Sequence, residues 1–278
     1  MSTNLVPLPE HDKLKHGELI CVGTGLRLAG QLTPITKSTI ENADIVLGAV
    51  ASHLTRHWLG QVAKEFVCLL EYYGEGGGKG KSRQTTYEQM VDRILIEVRA
   101  GKTVCAAFYG HPGVFACISH RAICQAKKEG YPAHMLPGIS AEDCLVADLG
   151  IDPGATGIQS MEATQFLVNH RRIDISALLV LWQVGIVGDL SLKRFDTCVA
   201  HLQLLVDKLT RDYAPNHQVI LYQAATSALE DTRMDTINLS DLPQMVLSQA
   251  TTLVIPAATK LAPDHEFVEK LQRLNQCN

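Results

Sequence analysis

Val104 to Phe115 reads VCAAFYGHPGVF, an apolar run with aromatic and β-branched residues that breaks at Gly110-His111-Pro112-Gly113. Such a run reads as a buried strand, and glycine with proline cannot continue it. The chain must turn at the strand's carboxyl end. In an open α/β sheet that end is where ligands bind, because the loops there diverge and leave a crevice. Glycine lets a ligand approach the backbone, and Pro112 stiffens the loop. A tight strand-to-helix connection holding no ligand would use the same residues, so this stretch alone leaves both readings open.

The flanking chain supports a sheet. Glu18 to Thr24 reads as a first strand, followed by Gly23-Thr24-Gly25 and a helix from Pro34 to Asn42, with Thr33 as its N-cap. Asp44 to Val50 and Phe66 to Glu71 read as further strands, so strands and helices alternate and parallel pairing follows. Thr85 and Glu88 have capping-box spacing, ahead of an apolar stripe through Tyr87, Met90, Val91, Ile94, Leu95 and Val98. A helix over 116–129, a short strand over 133–136 and a helix opening at Ser140 come next. The break at Pro137-Gly138 predicts a domain boundary, giving domains 1–137 and 138–278.

The second half predicts strands at 177–184, 218–224, 251–256 and 234–239, with a helix over 195–212. Their uneven spacing suggests a mixed α+β sheet.

Several familiar sites are excluded by single positions. Gly80-Lys81-Ser82 would close a phosphate-binding P-loop only with glycine at position 75, which is Glu75. The dinucleotide fingerprint GxGxxG after the first strand fails at Leu28. His53 and His57 share a helix spacing without the glutamate of HExxH, which leaves an ordinary surface helix and no metal. The 8 cysteines form no CxxC pair and read as reduced packing residues. A net charge of −4 argues against nucleic acid as a partner, and no run is long and apolar enough for a membrane span. The expectation is a soluble cytoplasmic protein.

Taken together, VGTG with Leu32-Thr33, then YGHPGVF, then PGISAEDC resemble the tetrapyrrole methylase-like superfamily of class III S-adenosylmethionine-dependent methyltransferases. FYGHPGVF, PGISAEDC, ADLGIDP, KSR and TYEQM resemble, within it, the borosin-type peptide backbone α-N-methyltransferases. The likeness spans nearly the whole chain. One departure is His111, where the superfamily usually has aspartate; His111 either positions the donor or shapes the loop.

The resemblance implies two α/β domains with the methyl donor in the cleft between them, and a homodimer. It places S-adenosyl-L-methionine, with S-adenosyl-L-homocysteine as product, on Tyr109, Gly110, His111, Pro112, Val114 and Phe115. It adds Ser140, Ala141, Gln183 and Ala224. Glycine-rich backbone and a helix start at Ser140 suit the donor's carboxylate and ribose.

Catalysis is the harder condition. An amide nitrogen is a poor nucleophile because its lone pair is delocalised into the carbonyl. Its proton must be removed and the charge on the oxygen stabilised. The resemblance assigns this to Tyr73, Arg83, Tyr87 and Tyr109. Tyr73 or Tyr87 is the expected base, favoured as phenolate by Arg83, which with Tyr109 stabilises the carbonyl oxygen. The Gly/Lys-rich segment between Tyr73 and Arg83 is longer than in the family pattern and would serve as a lid.

Ala258 to Asn278 holds an amphipathic helix, Asp264 to Leu274, and no apolar tract that could be a peptide core. The expected substrate is therefore a separate precursor peptide with a leader domain. Two other functions fit the fold: C-methylation of a tetrapyrrole, and donor binding without turnover.

Overall fold

The computed structural model describes residues 16–28, 30–73, 81–227 and 229–276. The expected lid falls on 74–80 and so lies outside the described residues. The chain divides into two compact units. One is Met1–Ala141 with Thr226–Leu229, and the other is Glu142–Ala225 with Glu230–Asn278.

The first unit is an all-parallel sheet of β1 (Glu18–Gly23), β2 (Ile45–Ala49), β3 (Phe66–Cys68), β4 (Thr103–Phe108) and β5 (Ala133–Met135), in the order β3-β2-β4-β1-β5. Its helices are α1 (Pro34–Asn42), α2 (His53–Val62), α3 (Arg83–Arg99) and α4 (Cys117–Lys128). Strand periodicity sorts them. Val104, Ala106 and Phe108 face α3 and α4, while Cys105 and Ala107 pack with Ile40 of α1 and Leu59 of α2. The connection after β1 thus leaves towards one face and the connection after the adjacent β4 towards the other. That divergence makes a crevice at the carboxyl ends of β1 and β4.

Local chemistry sets the helix starts. Thr33 caps α1 through its side chain, with Pro34 in the first turn. α3 begins two residues before the expected Thr85, because the Ser82 hydroxyl accepts the Thr85 amide at 3.2 Å and Ser82 becomes the cap. The third strand is shorter than expected. After Cys68 the backbone tightens into a 3₁₀ turn, Leu69–Tyr73.

The second unit begins with α5 (Ala141–Leu149), whose first residue belongs to the other unit, and α6 (Pro153–Thr156). Its sheet contains β6 (Ile158–Glu162), β7 (Leu178–Trp182), β8 (Gln218–Gln223), β9 (Arg233–Asn238) and β10 (Thr252–Ile255), ordered β6-β7-β10-β8-β9. Only β6 and β7 pair in parallel, so the sheet is mixed. α7 (Ala163–Val168) and α8 (Val199–Leu209) cover one face with the core of Leu179, Leu181, Leu221 and Leu253. On the other face the fully buried Tyr222 donates its hydroxyl to Asp148 of α5 at 2.8 Å. β6 and α7 were not legible in sequence. IQSME is a half-buried edge strand with little apolar content, and α7 is capped by the Glu162 carboxylate, which accepts from the Thr164 and Gln165 amides. α9 (His265–Gln276) closes the described chain and is exposed along its length. Among the described residues no helix is long and apolar enough to cross a membrane.

Candidate active site

At the mouth of the first unit's sheet, three strand ends are tied by their backbones. Gly110 donates its amide to Gly25 at 2.9 Å and accepts the Gly25 amide at 3.2 Å. Thr24 donates its amide to Phe108 at 2.8 Å, and Leu136 donates to Cys21 at 2.9 Å. A Cβ on Gly23 would stand 2.2 Å from the Gly110 carbonyl oxygen, and one on Gly138 would stand 2.9 Å from the Gly23 Cα. The glycines after β1 and β5 are therefore needed for the loops to close on one another. No spacing along the chain announces this contact.

The β4 loop is held in shape from within. The Gly113 amide donates to His111 Nδ1 at 2.9 Å, and Ser119 donates its hydroxyl to the Pro112 carbonyl. With Nδ1 accepting, neutral His111 carries its proton on Nε2, which is then a donor. An aspartate in this place would make the same turn with a carboxylate oxygen. Phe115 takes a left-handed backbone, φ 50°. Such strain in a residue other than glycine persists only where the surroundings impose it. Tyr109, Val114 and Phe115 are all exposed, at 59%, 39% and 49%. Large side chains bared at a strand-end crevice offer apolar surface to a ligand.

The proposed catalytic side chains converge in this same unit. Tyr73 ends the 3₁₀ turn after β3, Arg83 and Tyr87 lie one turn apart at the start of α3, and Tyr109 follows β4. Tyr73 and Tyr87 meet edge to face with centroids 6.4 Å apart. Tyr109 and Arg83 lie within electrostatic reach of Tyr73. Although the segment 74–80 intervenes, Lys81 Nζ donates to the Tyr72 carbonyl at 2.5 Å and also to the Gln89 side chain. This clamp joins the 3₁₀ turn to the start of α3 and brings Arg83 beside the tyrosines.

Charge in the cluster corrects one expectation. Burial pushes the Tyr73 phenol well above the usual tyrosine range, neighbouring Tyr87 and Tyr109 add to this, and the Arg83 guanidinium opposes it only as the smallest contribution. Arg83 does not make Tyr73 a phenolate at neutral pH. Burial first, then Tyr87, also raises Tyr109. Although the ring of Tyr109 is exposed, the surrounding protein desolvates its ionised form. The hydroxyls of Tyr73 and Tyr109 are thus held protonated and able to donate.

The remaining expected donor contacts divide by unit. Ser140 is buried at the start of α5, with Ala141 next to it. Gln183 and Ala224 lie in the second unit, directly after β7 and β8. These strands run parallel to each other on either side of antiparallel β10, so both residues stand at one edge of their sheet. Gln183 is left-handed, φ 59°. Its neighbour Trp182 donates to Ser160 at 2.7 Å, and Ser160 donates to Glu142 of α5 at 3.0 Å. Thr251, fully buried, accepts the Val184 amide at 3.1 Å between the two positions. It is at this sheet edge through strand order, which no local motif announced. Among the described residues no three His, Cys, Asp or Glu side chains form a metal-binding group.

Residues 18–242 match the sequence model of a family described as tetrapyrrole (corrin/porphyrin) methylases. The chain is 40% identical over 266 residues to the methyltransferase/ribosomally synthesized cyclic peptide dendrothelin A precursor of Dendrothele bispora, covering 94% of this chain and 62% of that protein. It is also 40% identical over 266 residues to a methyltransferase/type I borosin cyclic peptide precursor of Coprinopsis marcescibilis, covering 92% and 67%. The chain therefore spans between three fifths and two thirds of the length of these relatives. Among solved structures it resembles the uroporphyrin-III-C-methyltransferase of Thermus thermophilus, with a TM-score of 0.59 at 18% identity, over 90% of this chain and 99% of that one. At that identity the likeness concerns the fold.

Proposed function

The chain belongs to the tetrapyrrole (corrin/porphyrin) methylase family, in its borosin-type branch, and on that premise we propose that it methylates backbone amide nitrogens of a ribosomally made precursor peptide. The observation that carries this reading is the convergence of Tyr73, Arg83, Tyr87 and Tyr109 at the carboxyl end of β4. A carbon nucleophile on an electron-rich macrocycle needs no such cluster, whereas an amide does.

S-adenosyl-L-methionine would supply an electrophilic methyl group on a sulfonium, leaving S-adenosyl-L-homocysteine. The exposed Val114 and Phe115 would take its apolar surface, and the Nε2 proton of His111 would be a donor to its oxygens. Gly110 has its amide committed to Gly25, so its role is close approach and the second lone pair of its carbonyl. Pro112, Ser140 and Ala141 complete the set in the first unit.

The peptide carbonyl would lie against the tyrosine cluster. Tyr73 is held neutral, so the donating role is assigned to Tyr73 and the proton-accepting role to Tyr87, which would act as phenolate and become the phenol as it takes the amide proton. As the amide proton leaves, negative charge grows on the carbonyl oxygen. Arg83 and the Tyr109 hydroxyl would stabilise it, an electrostatic contribution of a few kcal/mol where water is excluded.

The enzyme is read as a cytoplasmic homodimer acting on a peptide held on a separate chain. The test is incubation of the purified protein with labelled donor and a candidate precursor, followed by tandem mass spectrometry. Added methylene masses on backbone nitrogens of the supplied peptide support the reading. Label confined to a tetrapyrrole, methylation only of a segment joined to the enzyme, or donor binding without transfer would overturn it. Sedimentation velocity tests the dimer.

A further inference from the structure

Away from the tyrosine cluster, the first unit carries a cavity of about 500 Å³ between α2 and the chain from β3 into its 3₁₀ turn. His53, Arg56 and His57 line one side, and Phe66, Leu70 and Glu71 are among the residues opposite. These three cationic or hydrogen-bonding side chains follow from helix geometry, since positions 53, 56 and 57 share one face while Thr55 and Leu59 point into the protein.

Arg56 is the unusual member. Its Nε is withdrawn from solvent and has no hydrogen-bond partner among the described residues. Among the described residues Arg56 has no ion pair either, although the exposed Glu71 carboxylate borders the same cavity. An unpaired buried N–H is costly, and because Nε is enclosed it is the rest of the guanidinium that can meet a group in the cavity. A guanidinium presents a planar fork of N–H groups that matches a carboxylate or phosphate, and imidazoles beside it can add further N–H donors.

We propose that this groove is an oxyanion site, in which Arg56 anchors a carboxylate or phosphate and His53 and His57 flank it. The inference is independent of the methyl-transfer reading. Because Leu70 and Glu71 belong to the turn that ends in Tyr73, the bound group would sit behind the segment carrying the tyrosine cluster.

The experiment uses the full chain, with the Arg56 side-chain Nε–Hε resonance followed by NMR as inorganic phosphate or a tetraglutamate peptide is added. Saturable displacement by phosphate alone identifies a free phosphate source, displacement by the peptide alone identifies a carboxylate presented on a chain, and either supports the site, as does displacement by both. Arg56→Gln, titrated through the backbone amides of α2 because the variant lacks the Arg56 resonance, should weaken the binding by at least about tenfold with an unchanged melting temperature. If Arg56→Gln does not fold, the His53→Gln/His57→Gln double variant should weaken it severalfold. No displacement by either ligand up to about 20 mM, a concentration that reaches weak millimolar sites, overturns the proposal. So does affinity unchanged in the variants.

Discussion

Tyr73 and Tyr87 meet at right angles, their ring centroids 6.4 Å apart, although one ends a turn after a strand and the other lies on the next described helix. Edge-to-face contact of this kind is worth roughly 0.5–1.5 kcal/mol beyond the area buried. The contact sets two phenols side by side, and its consequences are open to measurement.

Replacing Arg83 with lysine keeps a positive charge and removes the planar fork. The expected result is a fall in turnover by about tenfold or more with donor affinity nearly unchanged. Tyr87→Phe should cost turnover more than Tyr73→Phe, since the first removes the assigned proton acceptor and the second a donor. Single-turnover rates with a methylated-peptide readout give the order, and the reverse order would move the base to Tyr73.

Alkaline titration follows from the raised Tyr73 phenol. A phenol whose folded value lies above its unfolded value contributes stability that is complete below the unfolded value, about pH 10, and is lost as pH rises towards the folded one. Thermal stability should therefore decline above about pH 10, with less of that decline in Tyr73→Phe. In an ultraviolet titration of native protein, Tyr73→Phe should remove a phenol that ionises late. Tyr213, pushed up to about 12 mainly by burial, stays as an internal reference.

Gly23→Ala would put a Cβ 2.2 Å from the Gly110 carbonyl oxygen, a backbone atom unable to give way without opening the Gly25–Gly110 bridge. The cost should be about 1–3 kcal/mol, seen as a lower denaturation midpoint. Donor affinity should fall with it, because the β4 loop moves.

His111→Asp separates two roles that sequence leaves open. Aspartate can accept the Gly113 amide as Nδ1 does at 2.9 Å, so stability should stay within about 0.5 kcal/mol, the range of tolerated substitutions. Aspartate has no N–H to offer. Donor affinity should drop by about tenfold if Nε2 contacts the donor, and calorimetric titration showing no change would leave His111 as a shaper of the loop.

Much of the first unit was legible because its signals are local. Thr33-Pro34 announces α1, the apolar run announces β4, and the stripe from Met90 to Val98 announces α3. Where local signals compete, the reading slipped. Thr85 and Glu88 have the spacing of a capping box, yet Ser82 takes the cap because Lys81 is pinned to the Tyr72 carbonyl. β6 escaped notice because an edge strand gains its place from pairing with β7 and carries little hydrophobic pattern of its own.

The amino-acid sequence by itself determined where strands stop, which glycines could permit close approach, and the kinship that points to a methyl donor and an amide acceptor. These depend on residue type at short spacing. Tertiary structure alone decided that Gly23 and Gly138 touch, that Thr251 stands between Gln183 and Ala224 along a sheet edge, and that burial keeps Tyr73 protonated despite Arg83. Each of these is a balance among groups distant in the chain, and desolvation in particular has no value until the surrounding protein is in place.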